Sequence, residues 1–145
     1  MREVVEIIEP QWVIEGAGVR LRRSIGSSSF DHLDPFLLLD HFGSTEPADY
    51  LRGFPMHPHR GIETVTYMLA GLVRHKDSLG NKGEITSGDV QWMTAGRAIL
   101  HEEMPEDLGG ADGRVSVMGQ SSGEAENEPA AIPGNQGWED PLAEP

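Results

Sequence analysis

Residues 54–67 read Phe54-Pro55-Met56-His57-Pro58-His59-Arg60-Gly61-Ile62-Glu63-Thr64-Val65-Thr66-Tyr67. The second half, from Ile62 onward, is dense in β-branched and aromatic residues and predicts a strand running to Leu69. The first half carries two imidazoles two residues apart. On a strand, such side chains point to the same face. A lone His-x-His pair is more often incidental than a ligand pair. Further along, however, His101-Glu102-Glu103 repeats the spacing with an imidazole and a carboxylate. His57, His59, His101 and Glu103 can therefore converge on one point. Three neutral nitrogens and one carboxylate oxygen suit a divalent transition metal.

Outward from these two pairs, the chain reads as strands joined by tight turns. Val19–Ile25 alternates apolar and polar residues after Gly16-Ala17-Gly18. Residues 34–42, Asp-Pro-Phe-Leu-Leu-Leu-Asp-His-Phe, form an apolar run of strand length that predicts burial on both sides. Further strands are expected over Leu72–Asp77, Glu84–Thr86, Asp89–Thr94 and Ala98–Glu103, with a short β-branched run at Val4–Ile8. Strands at this spacing, punctuated by glycine, predict an all-β sandwich or barrel. No amphipathic helix of convincing length is evident.

The 145 residues suffice for one domain with a core. With no cysteine, disulfides, thiolate metal sites and thiol nucleophiles are excluded. The net charge of −13 is uneven. Residues 105–145 hold nine acids and a single base, Arg114. This balance argues against direct nucleic-acid binding, which needs clustered Lys and Arg. Arg20, Arg22 and Arg23 are the one basic cluster, and strand alternation explains Arg20 and Arg22 as a solvated face. No signal peptide or membrane-spanning run is evident, so a cytoplasmic protein is expected. His41 reads as a satisfied core or rim residue, His32 and His75 as solvated, and Ser24–Ser29 as loop rather than nucleophile.

Beyond these readings, the chain resembles the N-terminal cupin domain of the pirin family. The resemblance rests on Asp34–Asp40, on Phe54–Tyr67, on Gly88-Asp89-Val90-Gln91-Trp92-Met93-Thr94-Ala95-Gly96, and on His101-x-Glu103-Met104-Pro105. It implies a jelly-roll β-barrel enclosing a small cavity. It places the family's metal ligands on His57, His59, His101 and Glu103, with Fe(II) first and Mn, Ni, Cu, Co or Zn as alternatives. It also implies quercetin 2,3-dioxygenase activity, in which a flavonol ring is cleaved by O2. Glu103 would then be the catalytic base that takes the 3-hydroxyl proton. Glu63 shares parity with His57 and His59 and is expected just behind the ligands. The alternatives are a non-enzymatic, metal-dependent regulatory protein with a protein partner, or an inactive truncated product.

Pirins run to roughly twice this length. The expected division is a cupin domain over 1–112 and a disordered acidic tail over 113–145, too poor in apolar residues to fold. Trp138 is the tail's one large apolar side chain. The family strand expected soon after Pro105 is missing from the reading. A one-base frame shift within 114–123 would permit it, so the tail is expected to be a frameshifted continuation. The nucleotide sequence of the gene tests this expectation.

Overall fold

The computed structural model describes residues 3–108, 115–123, 129–131 and 136–137. Eleven strands are present among the described residues: β1 (Gln11–Glu15), β2 (Val19–Ile25), β3 (Phe36–Ser44), β4 (Phe54–His59), β5 (Ile62–Ala70), β6 (Leu72–Asp77), β7 (Lys82–Thr86), β8 (Asp89–Thr94), β9 (Ile99–Pro105), β10 (Val115–Gly123) and β11 (Gln136–Gly137). A single 3-10 turn, Pro47–Asp49, interrupts them. They form two antiparallel sheets. One has the order β1-β2-β3-β10-β5-β8-β11 and the other β4-β9-β6-β7.

Alternation explains how the two sheets pack. In β6, Val73, His75 and Asp77 are buried while Arg74 and Lys76 face out. In β2, Val19, Leu21 and Ile25 are buried. One end of the sandwich is filled by Val19, Leu21, Phe42, Tyr50, Met68, Val73 and Ile85, and a smaller cluster joins Met93, Ala95 and Ile99. Each fully buried side chain of this kind stabilises the fold by about 1.5–3 kcal/mol. A cavity between the sheets is lined by Leu21, Phe42 and Val73 of the first cluster and by Ile62, which packs against the second.

β4 lies at a sheet edge, which is why it accommodates Pro55 and Pro58. Proline cannot donate to a ladder and is confined to such edges, where it also discourages pairing with other chains. Gly53 leads into β4 at φ +58°. A Cβ there would come within 2.8 Å of the Glu103 carbonyl oxygen and 2.9 Å of Met104 Sδ. Gly53→Ala is expected to destabilise the protein by about 1–3 kcal/mol. A thermal melt checks this, and an unchanged midpoint would contradict it.

The structure departs from the sequence reading in three places. Val4–Ile8 is not a strand; Val5 is 98% exposed. β-Propensity reports fit to a half-buried sheet surface, and this run has no sheet to join. β3 is not buried on both faces, since Leu37 is 45% exposed. Leu38, Asp40 and Phe42 face the cavity instead. The third difference is β10. Val115–Gly123, assigned above to the tail, pairs with both β3 and β5 and fills the centre of the larger sheet. Ladder bonds come from backbone groups, so a segment with few apolar side chains can occupy a slot whose neighbours present unpaired N–H and C=O groups. The expected boundary after residue 112, Trp138 and most of the remaining tail lie outside the described residues.

Candidate metal centre

β4 and β9 are antiparallel neighbours, and His57 stands directly opposite His101 in their register. His59 lies two residues along β4 on the same face. The three rings consequently meet, with centroids 4.4 Å apart for His57–His101, 4.8 Å for His57–His59 and 4.9 Å for His59–His101. One nitrogen from each lies within 4.8 Å of the others, a group that could hold a metal ion.

The protonation chemistry agrees with that use. His57 Nδ1 is 2.9 Å from the Pro55 carbonyl oxygen. A carbonyl only accepts, so Nδ1 is the donor and Nε2 is the nitrogen left to face the other rings. That Nε2 lies 3.1 Å from His59 Nε2. Two nitrogens each about 2.1 Å from one ion and at right angles stand about 3 Å apart. Burial pushes His59 down to about 4, reinforced by His101 and His57. Burial likewise lowers His101 to about 4, helped by His57 and His75. Both rings are neutral at pH 7, the form that binds metal. His101 is only 2% exposed, yet neither ring nitrogen has a hydrogen-bond partner. Buried polar atoms are rarely left so, and an ion at the centre of the three rings would satisfy one of them. The residues present therefore fit a metal.

The depressed values have a consequence for stability. An unfolded histidine takes up its proton near pH 6.5, whereas these two folded rings resist until about pH 4. Between those values the unfolded chain binds more protons, so stability rises with pH across the window. Metal-free protein is expected to hold its stability above about pH 6.5 and lose it progressively toward pH 4. Denaturant titrations across that range check the slope; a flat profile would contradict it.

Glu103 lies two residues beyond His101 on β9 and lines the same cavity. It is not within the close imidazole group. Thr66 Oγ1, on β5 of the opposite sheet, donates to Glu103 Oε1 at 3.1 Å and ties the carboxylate across the cavity. Glu63 is a correction. Its Oε2 accepts from Trp92 Nε1 at 2.6 Å and from Thr94 Oγ1 at 2.9 Å, and it does not line the cavity. Parity holds only within one strand. The turn at Gly61 (φ +71°) carries the chain from β4 to β5 in the other sheet and resets it.

His75 is a second correction: it is 6% exposed rather than solvated, with Nδ1 unpartnered. It stands opposite Glu103 in the β6–β9 register. The signal was available, because Val73, His75 and Asp77 share one parity. His41 Nδ1 accepts from Arg22 Nη2 at 2.8 Å, as a satisfied rim residue would. His32 is exposed beside Asp31. Arg20 and Arg22 lie over the Trp12 ring on the outer surface. Arg23 departs from them. It turns inward to Asp40 and Glu15, a cluster that the sequence reading missed.

The cavity encloses about 630 Å³, within the range of small-molecule sites. Its apolar lining includes Leu21, Leu38, Phe42, Phe54, Ile62 and Val73. Gly119 of β10 sits between Asp40 and Thr66 in register, and a Cβ built there meets nothing within 4 Å.

Two antiparallel sheets around a cavity, with imidazoles from neighbouring strands facing into it, define a jelly-roll barrel of the cupin type. The sequence model of the pirin family matches residues 18–120, and the chain belongs to that family. A Pseudomonas aeruginosa protein provisionally named a quercetin 2,3-dioxygenase is 56% identical over 110 residues, covering 76% of this chain and 39% of that protein. The crystal structure of a quercetin 2,3-dioxygenase from Acinetobacter baumannii superposes with a TM-score of 0.74 at 32% identity, covering 90% of this chain and 48% of the other. An Escherichia coli pirin solved in complex with nickel(II) shares the fold, with a TM-score of 0.71 at 22% identity and coverage of 90% and 55%. The chain thus spans less than half the length of the curated relatives it matches. Among the described residues, no helix is long and apolar enough to cross a membrane.

Proposed function

We propose that this chain is a mononuclear metal-binding cupin of the quercetin 2,3-dioxygenase type, with His57, His59, His101 and Glu103 as the ligands. The observation that carries the reading is the convergence of three imidazoles on the wall of a largely apolar cavity of about 630 Å³. The names of the Pseudomonas and Acinetobacter proteins support the activity. Imidazole with one carboxylate does not separate the first-row metals; the family resemblance favours Fe(II). When bound, the metal supplies Lewis acidity that lowers the pKa of a flavonol 3-hydroxyl.

The remaining work falls to the chain. Glu103, anchored at Oε1 by Thr66, keeps its second oxygen available to accept the 3-hydroxyl proton. The Pro55 carbonyl fixes the His57 tautomer. Apolar walls from both sheets exclude water from the electron-rich flavonolate that reacts with dioxygen.

The test is aerobic quercetin depletion by metal-loaded protein, followed by absorbance with carbon monoxide released. Gly119→Phe serves as the blocking variant. Its side chain enters open cavity space without clash at the Cβ, and aromatic residues suit strands. Metal content is expected to persist while depletion falls at least about 100-fold, because the reacting centre is sterically filled. If the metal-loaded wild type leaves quercetin intact, the reading fails.

A further inference from the structure

Facing the imidazoles across the cavity, the larger sheet presents three charged side chains. Arg23 Nε donates to Asp40 Oδ1 and Arg23 Nη2 to Asp40 Oδ2, both at 2.8 Å. Arg23 Nη1 lies 2.9 Å from Glu15 Oε1. All three line the same cavity as His57 and His101. The Arg23 and Asp40 side chains are 16% and 13% exposed, while Glu15 remains 43% exposed.

Two carboxylates around one guanidinium leave one net negative charge. Arg23 commits three of its five donors to its partners, and each carboxylate keeps lone pairs unused. The wall is therefore rich in acceptors and poor in free donors. A hydroxyl group gains a charge-assisted hydrogen bond there. A carboxylate ligand meets like charge in a partly desolvated site.

We infer that Glu15, Arg23 and Asp40 form a distal subsite selecting neutral aromatic substrates that carry hydroxyl groups remote from the metal. Within the subsite Arg23 is the positioning residue, holding two carboxylates in fixed orientation, and Glu15 and Asp40 are the acceptors. The inference rests on the cavity being the substrate site, as proposed above. A purely structural role, tying β1 and β3 to β2, would affect stability without affecting ligand preference.

The test compares equilibrium binding of two flavonols to metal-loaded full-length protein without oxygen. One is quercetin; the other carries the 3-hydroxyl and no further hydroxyls. Wild type is expected to favour quercetin by about tenfold or more. Glu15→Ala leaves the Arg23–Asp40 pair intact, and Asp40→Asn leaves Arg23–Glu15. Either is expected to bring the ratio below about threefold, with affinity for the flavonol bearing only the 3-hydroxyl unchanged. An unaltered ratio in both variants overturns the subsite while leaving the proposed activity standing. Failure of metal-loaded wild type to bind either flavonol overturns both.

Discussion

His57→Ala/His59→Ala is expected to leave the purified protein essentially free of bound transition metal while the barrel still folds. Both rings come from an edge strand whose ladder bonds are made by its backbone, so truncating them costs little packing. Loss of one outer partner of a ligand costs roughly 10- to 100-fold in metal affinity, and removing two of the three clustered imidazoles should exceed that. Elemental analysis after dialysis against a weak chelator measures it, with circular dichroism as the folding control. Metal retained at wild-type stoichiometry by a folded double variant would remove the basis of the proposed function. Removing His57 also relieves the repulsion that it exerts on a protonated His101, and removing His59 deletes the other buried ring that resists protonation. The acid limb of stability should move to lower pH as well.

Glu103→Gln is the second large effect expected. The amide keeps the size of the side chain and can still accept from Thr66 at its remaining oxygen. It has no basic oxygen to take a proton. A general base of this kind contributes about 100- to 10,000-fold, and quercetin turnover should fall by that order. Metal should stay bound in part through the three imidazoles. Turnover at the wild-type rate would show that Glu103 is not the base. Loss of all metal together with turnover would show that its main role is ligation.

Much of the fold was legible because its signals are local. Leu72–Asp77 and Asp89–Thr94 were read at the bounds the structure gives, because glycine turns mark off each short run. That His57 and His59 share one face of β4, and His101 and Glu103 one face of β9, was legible for the same reason. Apart from His75, whose burial follows from its parity with Val73 and Asp77, failures occurred where a property depends on which strands become neighbours. Val4–Ile8 has the composition of a strand and no partner. Val115–Gly123 has little such composition and two partners. Glu63 was misjudged because parity was carried through a turn into the other sheet. Arg23 shares the parity of the buried Val19, Leu21 and Ile25, so its inward face was legible in β2; what depended on the neighbouring strands was its pairing with Asp40 and Glu15.

By itself, the order of residues determined which side chains share a face within β4 and within β9, and which chemistry they could offer. It also set where glycine and proline must turn or end the ladder. Only the tertiary structure decided that β4 lies against β9, so that His57 faces His101, and that a wall bearing Glu15, Arg23 and Asp40 stands opposite. Alternation is a property of each L-residue backbone and needs no distant contact. Pairing of strands far apart in the chain is chosen by the burial and hydrogen bonding of all the strands together, which no local pattern encodes.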